Sequence, residues 1–296
     1  MKNEKIKVLI LGATGLIGSG LFYSLSNKEN FEVFGTIRSQ GSSRLFPKKL
    51  QQNLFSEIDV TNDSVVLKLI SKIQPHVVIN CIGLTKHLPS GNDPLLAIPL
   101  NSYLPHYLAA HCKLLGIRFI HISSDCVFSG NKGNYVETDI PDATDIYGKS
   151  KALGEIADGS ALTLRTSTIG HELTSSHGLL SWFLSQKQEC PGFKKALFSG
   201  VSTVELARII SDFVIPTPLL TGLYHIAGQT ISKYDLLKLI AKEYGKQTHI
   251  SPEKSFAIDR SLNSDKFLKA TGYTPPSWPK LIKMMHQSHQ GYKDVQ

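Results

Sequence analysis

A glycine-rich turn near the N-terminus limits the folds open to this chain more than any other feature. The segment GATGLIG places Gly12, Gly15 and Gly18 directly after the apolar run Lys7–Leu11 and ahead of a helical pattern over about 16–26. Glycine allows a tight turn, close approach of the backbone to a pyrophosphate, and close packing of helix on strand. The helix start adds free N–H groups and the positive end of its dipole. The pattern therefore predicts a βαβ unit that binds a dinucleotide.

The rest of the first half repeats the alternation of strand and helix. Helices are predicted at Val65–Ile73 and Pro105–Leu115, and strands at Phe31–Ile37, FSEID (55–59), His76–Asn80, Arg118–Ser123 and Ala161–Arg165. Apolar strands separated by helices indicate a parallel sheet covered on both faces, with ligands at the carboxyl ends of its strands. The predicted fold class is α/β, a Rossmann-type doubly wound parallel sheet with a smaller C-terminal α/β substrate lobe.

The alternation changes after Thr166. Helices are predicted at about 178–186, 204–214 and 233–244, with a short strand at 222–227 and a tail from Ser251 interrupted by prolines. We therefore predict an NADP-binding domain over residues 1–165, to which a strand near 222–228 returns. Residues 166–296 are predicted to form a mostly substrate-binding lobe interleaved with that domain.

Composition and charge narrow the choice of partners. A chain of 296 residues with 41% hydrophobic residues can bury a sizeable core, and a net charge of +8 suits an anionic ligand such as a dinucleotide or sugar nucleotide. Scattered basic residues and the lack of zinc-finger spacing disfavour nucleic acid, and no metal site is expected. Four separated cysteines fit free thiols in a reducing cytoplasm. No signal peptide or membrane span is expected, and a homodimer is kept as the candidate assembly.

Residues after several strands extend the predicted cofactor site. Arg38 stands where an acidic residue would select NAD, so we predict NADPH, with NADH as the alternative and Arg44 assisting. Asp59 is placed to meet the adenine amino group, and Asn101 opens a helix that it could also cap. The predicted cofactor-binding residues are Gly12, Thr14, Gly15, Leu16, Ile17, Gly18, Arg38, Asp59, Val60, Cys81, Ile82, Gly83, Asn101, Ser123, Tyr147 and Lys151.

The stretch DIYGKSKALGE carries the predicted chemistry. On a helix, positions i and i+4 share one face, so Tyr147 and Lys151 are expected side by side. The pKa of a phenol is normally about 10, and a nearby ammonium lowers it. The strand that ends in RFIHIS runs into Ser124, whose hydroxyl is expected beside Tyr147 to hydrogen-bond a carbonyl oxygen. Ser124, Tyr147 and Lys151 are therefore the predicted catalytic residues, suited to proton exchange at a carbonyl or alcohol.

Motifs along most of the chain carry a family resemblance. They are GATGLIG, DVTN, VVINCIGLT, SSDCVFSG, the YxE of Tyr135–Glu137, YGKSKALGE, LRTS and FSGVSTVELA. Their order and spacing resemble the extended short-chain dehydrogenase/reductase superfamily and, more narrowly, the dTDP-4-dehydrorhamnose reductase family. The resemblance implies that NADPH reduces the C4 ketone of a nucleoside-diphosphate 4-keto-6-deoxy sugar, for synthesis of cell-surface polysaccharide. It also implies that Tyr147 protonates the oxyanion, Lys151 lowers the tyrosine pKa and binds the nicotinamide ribose, and Ser124 orients the carbonyl.

The resemblance departs from the family pattern on the sugar side. Cys126 stands where the family has a tyrosine, Thr168 where a tryptophan is common, and FAIDRSL where an Arg-Pro segment is typical. Both dTDP-4-dehydrorhamnose and a UDP-2-acetamido-2,6-dideoxy-hexos-4-ulose therefore stay open as substrates. For Val127 the alternative to a substrate contact is simple core packing. For Lys86, His87 and Arg260, which could contact the diphosphate or the sugar, the alternative is a solvated side chain. The implied substrate-binding residues are Thr85, Lys86, Asp125, Cys126, Val127, Thr168 and Arg260.

Two other functions stay open. An epimerase/reductase resembling GDP-fucose synthase would use Cys126, two residues after Ser124, and His177 as acid and base. A non-catalytic NADP-binding subunit would be like the regulatory subunit that associates with methionine adenosyltransferase, which resembles the same reductase family. A dehydratase is disfavoured, because those relatives have a glutamate at the position of Cys126.

Overall fold

Strands and helices alternate through the first half of the molecule. The computed structural model describes residues 4–84 and 89–293. The strands are β1 (Ile6–Leu11), β2 (Phe31–Thr36), β3 (Leu54–Phe55), β4 (Val77–Asn80), β5 (Arg118–Ser124), β6 (Leu162–Thr166), β7 (Thr168–Ile169), β8 (Glu189–Phe198), β9 (Val201–Ser202), β10 (Gly222–Ile226), β11 (Ile231–Ser232) and β12 (His249–Asp259).

The helices flank these strands. They are α1 (Leu16–Ser26), α2 (Lys48–Gln51), α3 (Asp63–Ile73), α4 (Pro94–Ala97), α5 (Leu104–Leu114), α6 (Ile146–Leu153), α7 (Leu179–Ser185), α8 (Thr203–Ile209), α9 (Lys233–Tyr244), α10 (Asp265–Thr271) and α11 (Trp278–Lys293). Short 3₁₀ segments cover Gln40–Leu45, Pro89–Asn92 and Asp125–Val127, and π-helical turns cover Ile98–Tyr103 and Ile210–Val214. Within the described ranges, no helix is both long enough and apolar enough to cross a bilayer.

Seven parallel strands form the central sheet, in the order β10-β6-β5-β4-β1-β2-β3. The strand β1 lies between β2 and β4, so the chain moves outward in one direction and then in the other from this point. In such a sheet, ligands bind beyond the carboxyl ends of the strands where the order reverses. This arrangement confirms the predicted Rossmann-type sheet. The edge beside β6 is formed by β10, which comes from the second half of the chain.

Alternate residues of β1 supply the two faces of the core. Val8 and Ile10 pack in one cluster with α1 residues such as Phe22, and Leu9 and Leu11 pack in the other with residues of α3 and α5. All four of these strand side chains are fully buried. Because successive side chains of a strand point to opposite faces, an unbroken apolar run is what a sheet covered on both faces requires.

A second, smaller cluster defines what we call the second lobe, built from β8, β11, β12, α7, α9 and α11. Its small sheet has the order β11-β8-β12. Its core side chains are Ile169, Leu180, Phe183, Cys190, Phe198, Leu236, Leu237, Ile240, Trp278, Leu281, Ile282 and Met285. In contrast, α8 packs with α1 against the central sheet, so the chain passes between the two cores more than once.

Several sequence predictions differ from the structure in the second half. The strands β8 and β12 and the long helix α11 were not predicted, because β12 is a polar edge strand that contains Pro252 and α11 follows closely spaced prolines. Proline is tolerated on an edge strand and in the first turn of a helix. The strand predicted at 55–59 is reduced to β3, and the helix predicted over 204–214 changes from α-helical to π-helical after Ile209.

Candidate active site

The turn between β1 and α1 has the geometry of a pyrophosphate cradle. Gly12 has a φ of +82°, which side-chain-bearing residues rarely adopt, and a Cβ atom at Gly18 would lie 2.1 Å from the Gly12 carbonyl oxygen. Gly15 precedes α1 without a side-chain cap, and the first turn of α1 has no acidic residue. The N–H groups of this turn, from Leu16 and Ile17 onward, are therefore left to bind an anion, and Thr14 stands beside them.

The end of β2 presents positive charge. Arg38 follows this strand and is exposed, as is Arg44 in the next 3₁₀ segment. Asp59 is also exposed, and its Oδ1 atom accepts hydrogen bonds from the Thr61 N–H group at 2.9 Å and the Thr61 hydroxyl at 2.7 Å. These bonds to Thr61, together with the charge of Arg38, lower the pKa of Asp59. Asp59 therefore closes a local turn, with Val60 half-buried beside it.

The loop after β4 meets Asn101 below the sheet edge. The Oδ1 atom of Asn101 accepts from the Leu84 N–H group at 3.0 Å, and its Nδ2 atom donates to the Ser150 hydroxyl at 3.0 Å. Asn101 lies inside a π-helical turn, so the prediction that it caps a helix was wrong. A Cβ atom at Gly83 would lie 3.1 Å from that Oδ1 atom and 3.8 Å from the Nζ atom of Lys151. The backbone of Cys81, Ile82 and Gly83 therefore passes close to the predicted catalytic lysine.

The three predicted catalytic residues come together at the carboxyl ends of β5 and β6. The helix α6 begins after Asp145, whose carboxylate accepts from the Gly148 N–H group at 2.8 Å. This start places Tyr147 and Lys151 one turn apart on the helix. The last residue of β5 is Ser124, whose hydroxyl lies beside the Tyr147 phenol. This hydroxyl donates to the Asp125 carboxylate at 3.2 Å and accepts from the Cys126 N–H group at 3.1 Å. A hydroxyl, a phenol and an amine thus line one short stretch of the sheet edge.

The pKa values of this group differ from the sequence prediction. Desolvation raises the pKa of Tyr147 well above its usual range, and the neighbouring Cys126 acts in the same direction. The predicted lowering by Lys151 was wrong, because the lysine amine donates to the Ile122 carbonyl oxygen at 2.8 Å instead. Burial lowers the pKa of Lys151 itself to about 8. At neutral pH the phenol is therefore protonated, which is the form that can donate a proton to an oxygen.

Ser123 has a role that the sequence did not indicate. Its hydroxyl donates to the Glu155 carboxylate at 2.6 Å, so the structure gives this hydroxyl to a buried network rather than to a cofactor. Glu155 also forms an ion pair with Arg165 at 2.6 Å, and both side chains are at least 94% buried. A glutamate in YGKSKALGE facing an arginine in LRTS was the available signal, since a buried carboxylate needs a partner.

Asp125, directly after Ser124, lies close enough to Arg260 for their charges to interact. Burial raises the pKa of Asp125, and the Arg260 charge acts in the opposite direction. Arg260 donates through Nε to the Phe128 carbonyl oxygen at 2.7 Å, and its Nη1 atom lies 3.8 Å from the sulfur of Cys126. The prediction that Val127 contacts the substrate is not supported by its position. It is fully buried in a core cluster with Phe128.

Lys233 joins this group and was missed from the sequence. It is the first residue of α9, after the Ser232 cap, and is half-buried. Burial lowers its pKa, and the charges of Asp125 and Cys126 act in the opposite direction. A cation in the first turn of a helix lies at the positive end of the helix dipole, which is unfavourable. This position was the signal that Lys233 has an electrostatic partner elsewhere in the chain. Lys233 and Arg260 therefore bring two positive charges from the second half of the chain to one carboxylate.

The remaining predicted residues lie apart from this cluster or outside the description. Thr168 is half-buried in β7, where it pairs with Val201. His177 is exposed ahead of α7, and no hydrogen bond joins it to a site residue within the described ranges. Three predicted residues lie outside the described residues, namely Thr85, Lys86 and His87.

Known proteins resemble this chain in sequence and in fold. The chain is 27% identical over 268 residues to methionine adenosyltransferase 2 subunit beta of Rattus norvegicus, covering 83% of this chain and 75% of that protein. It is 26% identical over 302 residues to dTDP-4-dehydrorhamnose reductase of Aggregatibacter actinomycetemcomitans, covering 94% and 97%. A crystal structure of dTDP-4-dehydrorhamnose reductase from Bacillus anthracis in complex with NADP superposes with a TM-score of 0.77 at 24% identity, covering 96% and 99% of the chains.

The family assignment follows from a match over nearly the whole chain. The family model described as "RmlD substrate binding domain" matches residues 6–290. That range includes the glycine turn, the Ser124, Tyr147 and Lys151 cluster, and the cations of the second half. The resemblance inferred from the motifs is thereby confirmed. The chain belongs to the RmlD substrate binding domain family.

Proposed function

We propose that this protein is an NADPH-dependent reductase of the C4 ketone of a nucleoside-diphosphate 4-keto-6-deoxy sugar. The observation that carries the proposal is the cluster of Ser124, Tyr147 and Lys151 at the sheet edge, next to a glycine turn built to hold a pyrophosphate. The similarity to dTDP-4-dehydrorhamnose reductases supports it.

The cradle residues fit a nicotinamide dinucleotide. Gly12 and Gly18 leave room for the pyrophosphate, and the first turn of α1 offers N–H groups to it. Arg38 exposes a guanidinium where the 2′-phosphate of NADP would need a cation. NADPH supplies a hydride when bound. Lys151 would hold the nicotinamide ribose from the side of Gly83.

The proton comes from the protein's own phenol. Because the Tyr147 pKa is raised by desolvation, the phenol carries its proton at neutral pH and can transfer it to the oxygen of the reduced carbonyl carbon. Ser124 would orient that oxygen, since its hydroxyl lies beside the Tyr147 phenol. General acid catalysis of this kind typically contributes about 10²–10⁴-fold to a rate.

The cations of the second half fit the charge of the substrate. Lys233 and Arg260 face Asp125, and Arg260 also acts on Asp142, so a diphosphate or another anionic substituent would bind these cations in competition with the two carboxylates. We keep dTDP-4-dehydrorhamnose and a UDP-2-acetamido-2,6-dideoxy-hexos-4-ulose as the candidate substrates, in cytoplasmic synthesis of cell-surface polysaccharide. In this proposal residues 1–165 mostly bind the cofactor and residues 166–296 mostly bind the substrate. A homodimer is the proposed assembly, which light scattering of the purified protein would test.

A panel assay tests the reductase proposal. The protein is incubated with NADPH or NADH and with dTDP-, UDP- and GDP-linked 4-keto-6-deoxy sugars, while loss of absorbance at the reduced nicotinamide band is followed. We expect turnover of at least one sugar, faster with NADPH than with NADH. Each reaction is repeated with Tyr147→Phe. Turnover that survives this substitution would place the chemistry elsewhere.

An epimerase/reductase is the first alternative, and Cys126 is the residue that favours it. Its thiol lies two residues after Ser124 and close to Arg260. If the alternative holds, solvent deuterium enters C3 or C5 of the sugar during turnover. Cys126→Ser would then abolish this incorporation while C4 reduction continues. Reduction without deuterium at either carbon would exclude it.

The second alternative is a non-catalytic NADP-binding subunit. It is favoured by the 27% identity to methionine adenosyltransferase 2 subunit beta. Under this alternative the protein binds NADP, reduces none of the keto sugars, and co-purifies with a methionine adenosyltransferase from the same cells. Turnover of a keto sugar without such a partner would favour the reductase.

A further inference from the structure

Two polar side chains lie fully buried directly behind Lys151, and the reaction proposed above uses neither. They are Asn80, the last residue of β4, and His121, within β5. The two residues are direct partners in the parallel register of these strands. Buried polar groups are costly unless they are hydrogen-bonded, so each atom of this pair needs an assigned partner.

The backbone fixes which way the Asn80 amide points. The Ile82 N–H group donates to the Asn80 side chain at 3.1 Å, and only the amide oxygen can accept that bond. The amide nitrogen therefore faces His121, with 3.2 Å between Asn80 Nδ2 and His121 Nδ1. An amide NH₂ group has no lone pair to offer, so Nδ1 must be the acceptor. A neutral imidazole with an unprotonated Nδ1 carries its proton on Nε2.

That Nε2 atom faces the catalytic lysine. It lies 3.5 Å from the Nζ atom of Lys151, which also donates to the Ile122 carbonyl oxygen at 2.8 Å. We propose that His121 is a positioning residue, held by Asn80 with its proton on Nε2, and that this N–H group orients the Lys151 amine toward Ile122. An N–H group facing an ammonium sets two donors against each other, whereas a neutral amine can accept. The arrangement therefore favours the neutral form of Lys151.

The charged and titratable groups around the pair are few. Burial lowers the pKa of Lys151, and the charges of Glu155, just beyond the end of α6, and of Cys81, just after β4, act in the opposite direction. His121 faces Lys151 and His106 of α5. Burial holds the pKa of His121 well below its usual range, so the ring stays neutral and carries a single proton. The hydrogen bonds that run from Ile82 through Asn80 and His121 to Lys151 do not depend on the proposed function. Their effect on turnover rests on that function.

The tautomer can be measured on the wild-type protein without substrate. Two-bond ¹H–¹⁵N correlation spectra of histidine-labelled protein distinguish a protonated from an unprotonated ring nitrogen. For His121, identified by its loss in His121→Leu, we expect an unprotonated Nδ1 and a protonated Nε2 throughout the neutral range. An imidazolium, or a ring with its proton on Nδ1, overturns the proposal.

Variants test the action on Lys151. The midpoint for Lys151 is followed by the ¹³Cε shift of labelled lysine, assigned with Lys151→Met, and is expected at about 8 in the wild type. His121→Leu should raise this midpoint by roughly one pH unit, because the opposing N–H group is gone. Asn80→Asp should move the His121 proton to Nδ1, since a carboxylate accepts and does not donate. The exposed His76→Gln is the matched control and should leave the midpoint unchanged.

The outcomes separate this inference from the reductase proposal. If His121→Leu does not fold, the wild-type tautomer and the Asn80→Asp switch still decide the question. If neither variant moves the Lys151 midpoint, the inference is wrong even in an active enzyme. If no keto sugar is reduced but the tautomer and midpoints behave as stated, the inference holds and the reductase proposal fails. In an active enzyme, the pH profile of kcat should move with the midpoint.

Discussion

The site has two sides that differ in how their charges are neutralised. We call them the sheet wall, which carries Lys151, Glu155 and Arg165, and the second wall, which carries Lys233 and Arg260. On the wall formed by the central sheet, Lys151 is bound to a backbone carbonyl, and the Glu155–Arg165 pair is almost completely buried. On the opposite wall, Lys233 and Arg260 act on the carboxylate of Asp125, and Arg260 also acts on that of Asp142. The charges of the first wall are buried with their own partners, whereas the cations of the second wall are only half-buried.

This difference assigns separate tasks to the two walls. A group that is held by buried hydrogen bonds needs little reorganisation when charge develops beside it, which suits the proton-transfer residues. A half-buried cation is suited to a charged ligand, since the ligand can reach its exposed part. Substitutions on the sheet wall should therefore change kcat or stability, and substitutions on the second wall should change KM.

Tyr147→Phe should have the largest effect, because it removes the proton donor and little else. We expect kcat for the keto sugar to fall by about 10²–10⁴-fold, with KM changed much less. Steady-state kinetics with NADPH would measure this, and circular dichroism melting would show that the variant is folded. A fall of less than about tenfold would remove Tyr147 from the chemistry.

Gly18→Ala should disturb the packing of α1 on the glycine turn at the end of β1. The added Cβ atom would lie 2.1 Å from the Gly12 carbonyl oxygen, so α1 must shift away from the turn. We expect a loss of up to about 3 kcal/mol in the free energy of unfolding, and weaker NADPH binding. Urea unfolding and calorimetric titration would measure the two effects. In the control Gly41→Ala the nearest atom is 3.7 Å away, and neither quantity should change.

The burial of Lys151 should appear as a pH dependence of stability. The folded pKa is about 8 and the unfolded pKa is about 10.4, so the unfolded chain binds more protons between these values. The free energy of unfolding of the wild type, measured relative to Lys151→Met, should therefore rise by roughly 2 kcal/mol from about pH 7 to about pH 9.5. Urea unfolding of both proteins at the two pH values gives this difference. A constant difference would mean that Lys151 is not desolvated.

Lys233→Met should test the second wall with the smallest effect. We expect KM for the nucleotide sugar to rise about tenfold, equivalent to about 1.4 kcal/mol, with kcat nearly unchanged. The control is Lys238→Met, because Lys238 is exposed one turn further along the same helix. Equal effects of the two substitutions on KM would show that only the net charge of the protein matters. The second wall would then have no specific role in substrate binding.

The sheet wall was largely predictable from the sequence, because its signals are local. The helix Leu16–Ser26 has the predicted bounds, and Gly12 and Gly15 of GATGLIG occupy the predicted turn ahead of it. The approach of Ser124 to Tyr147 was also predicted, from the position of Ser124 at the end of a strand and of Tyr147 on the helix that follows. Such features depend on residue type and spacing within one βαβ unit.

The second wall was less predictable, because it depends on contacts between distant segments. The strand β12 is polar along most of its length and is recognised only through its pairing with β8. Lys233 belongs to the site because its charge interacts with that of Asp125, which lies more than a hundred residues earlier in the chain. The Tyr147 pKa was predicted in the wrong direction, because spacing on a helix indicates proximity but not desolvation.

The return of β10 to the edge of the central sheet has a consequence for how this protein can be divided. A fragment ending near residue 165 would leave β6 without β10, one of its two neighbours in the sheet. It would also remove the α8 side chains that cover α1. Neither piece would then be a self-sufficient folding unit. Chimeras that exchange recognition between relatives should therefore graft the segments around β8, α9 and β12 together, and leave the stretch from β9 to β10 with its native host.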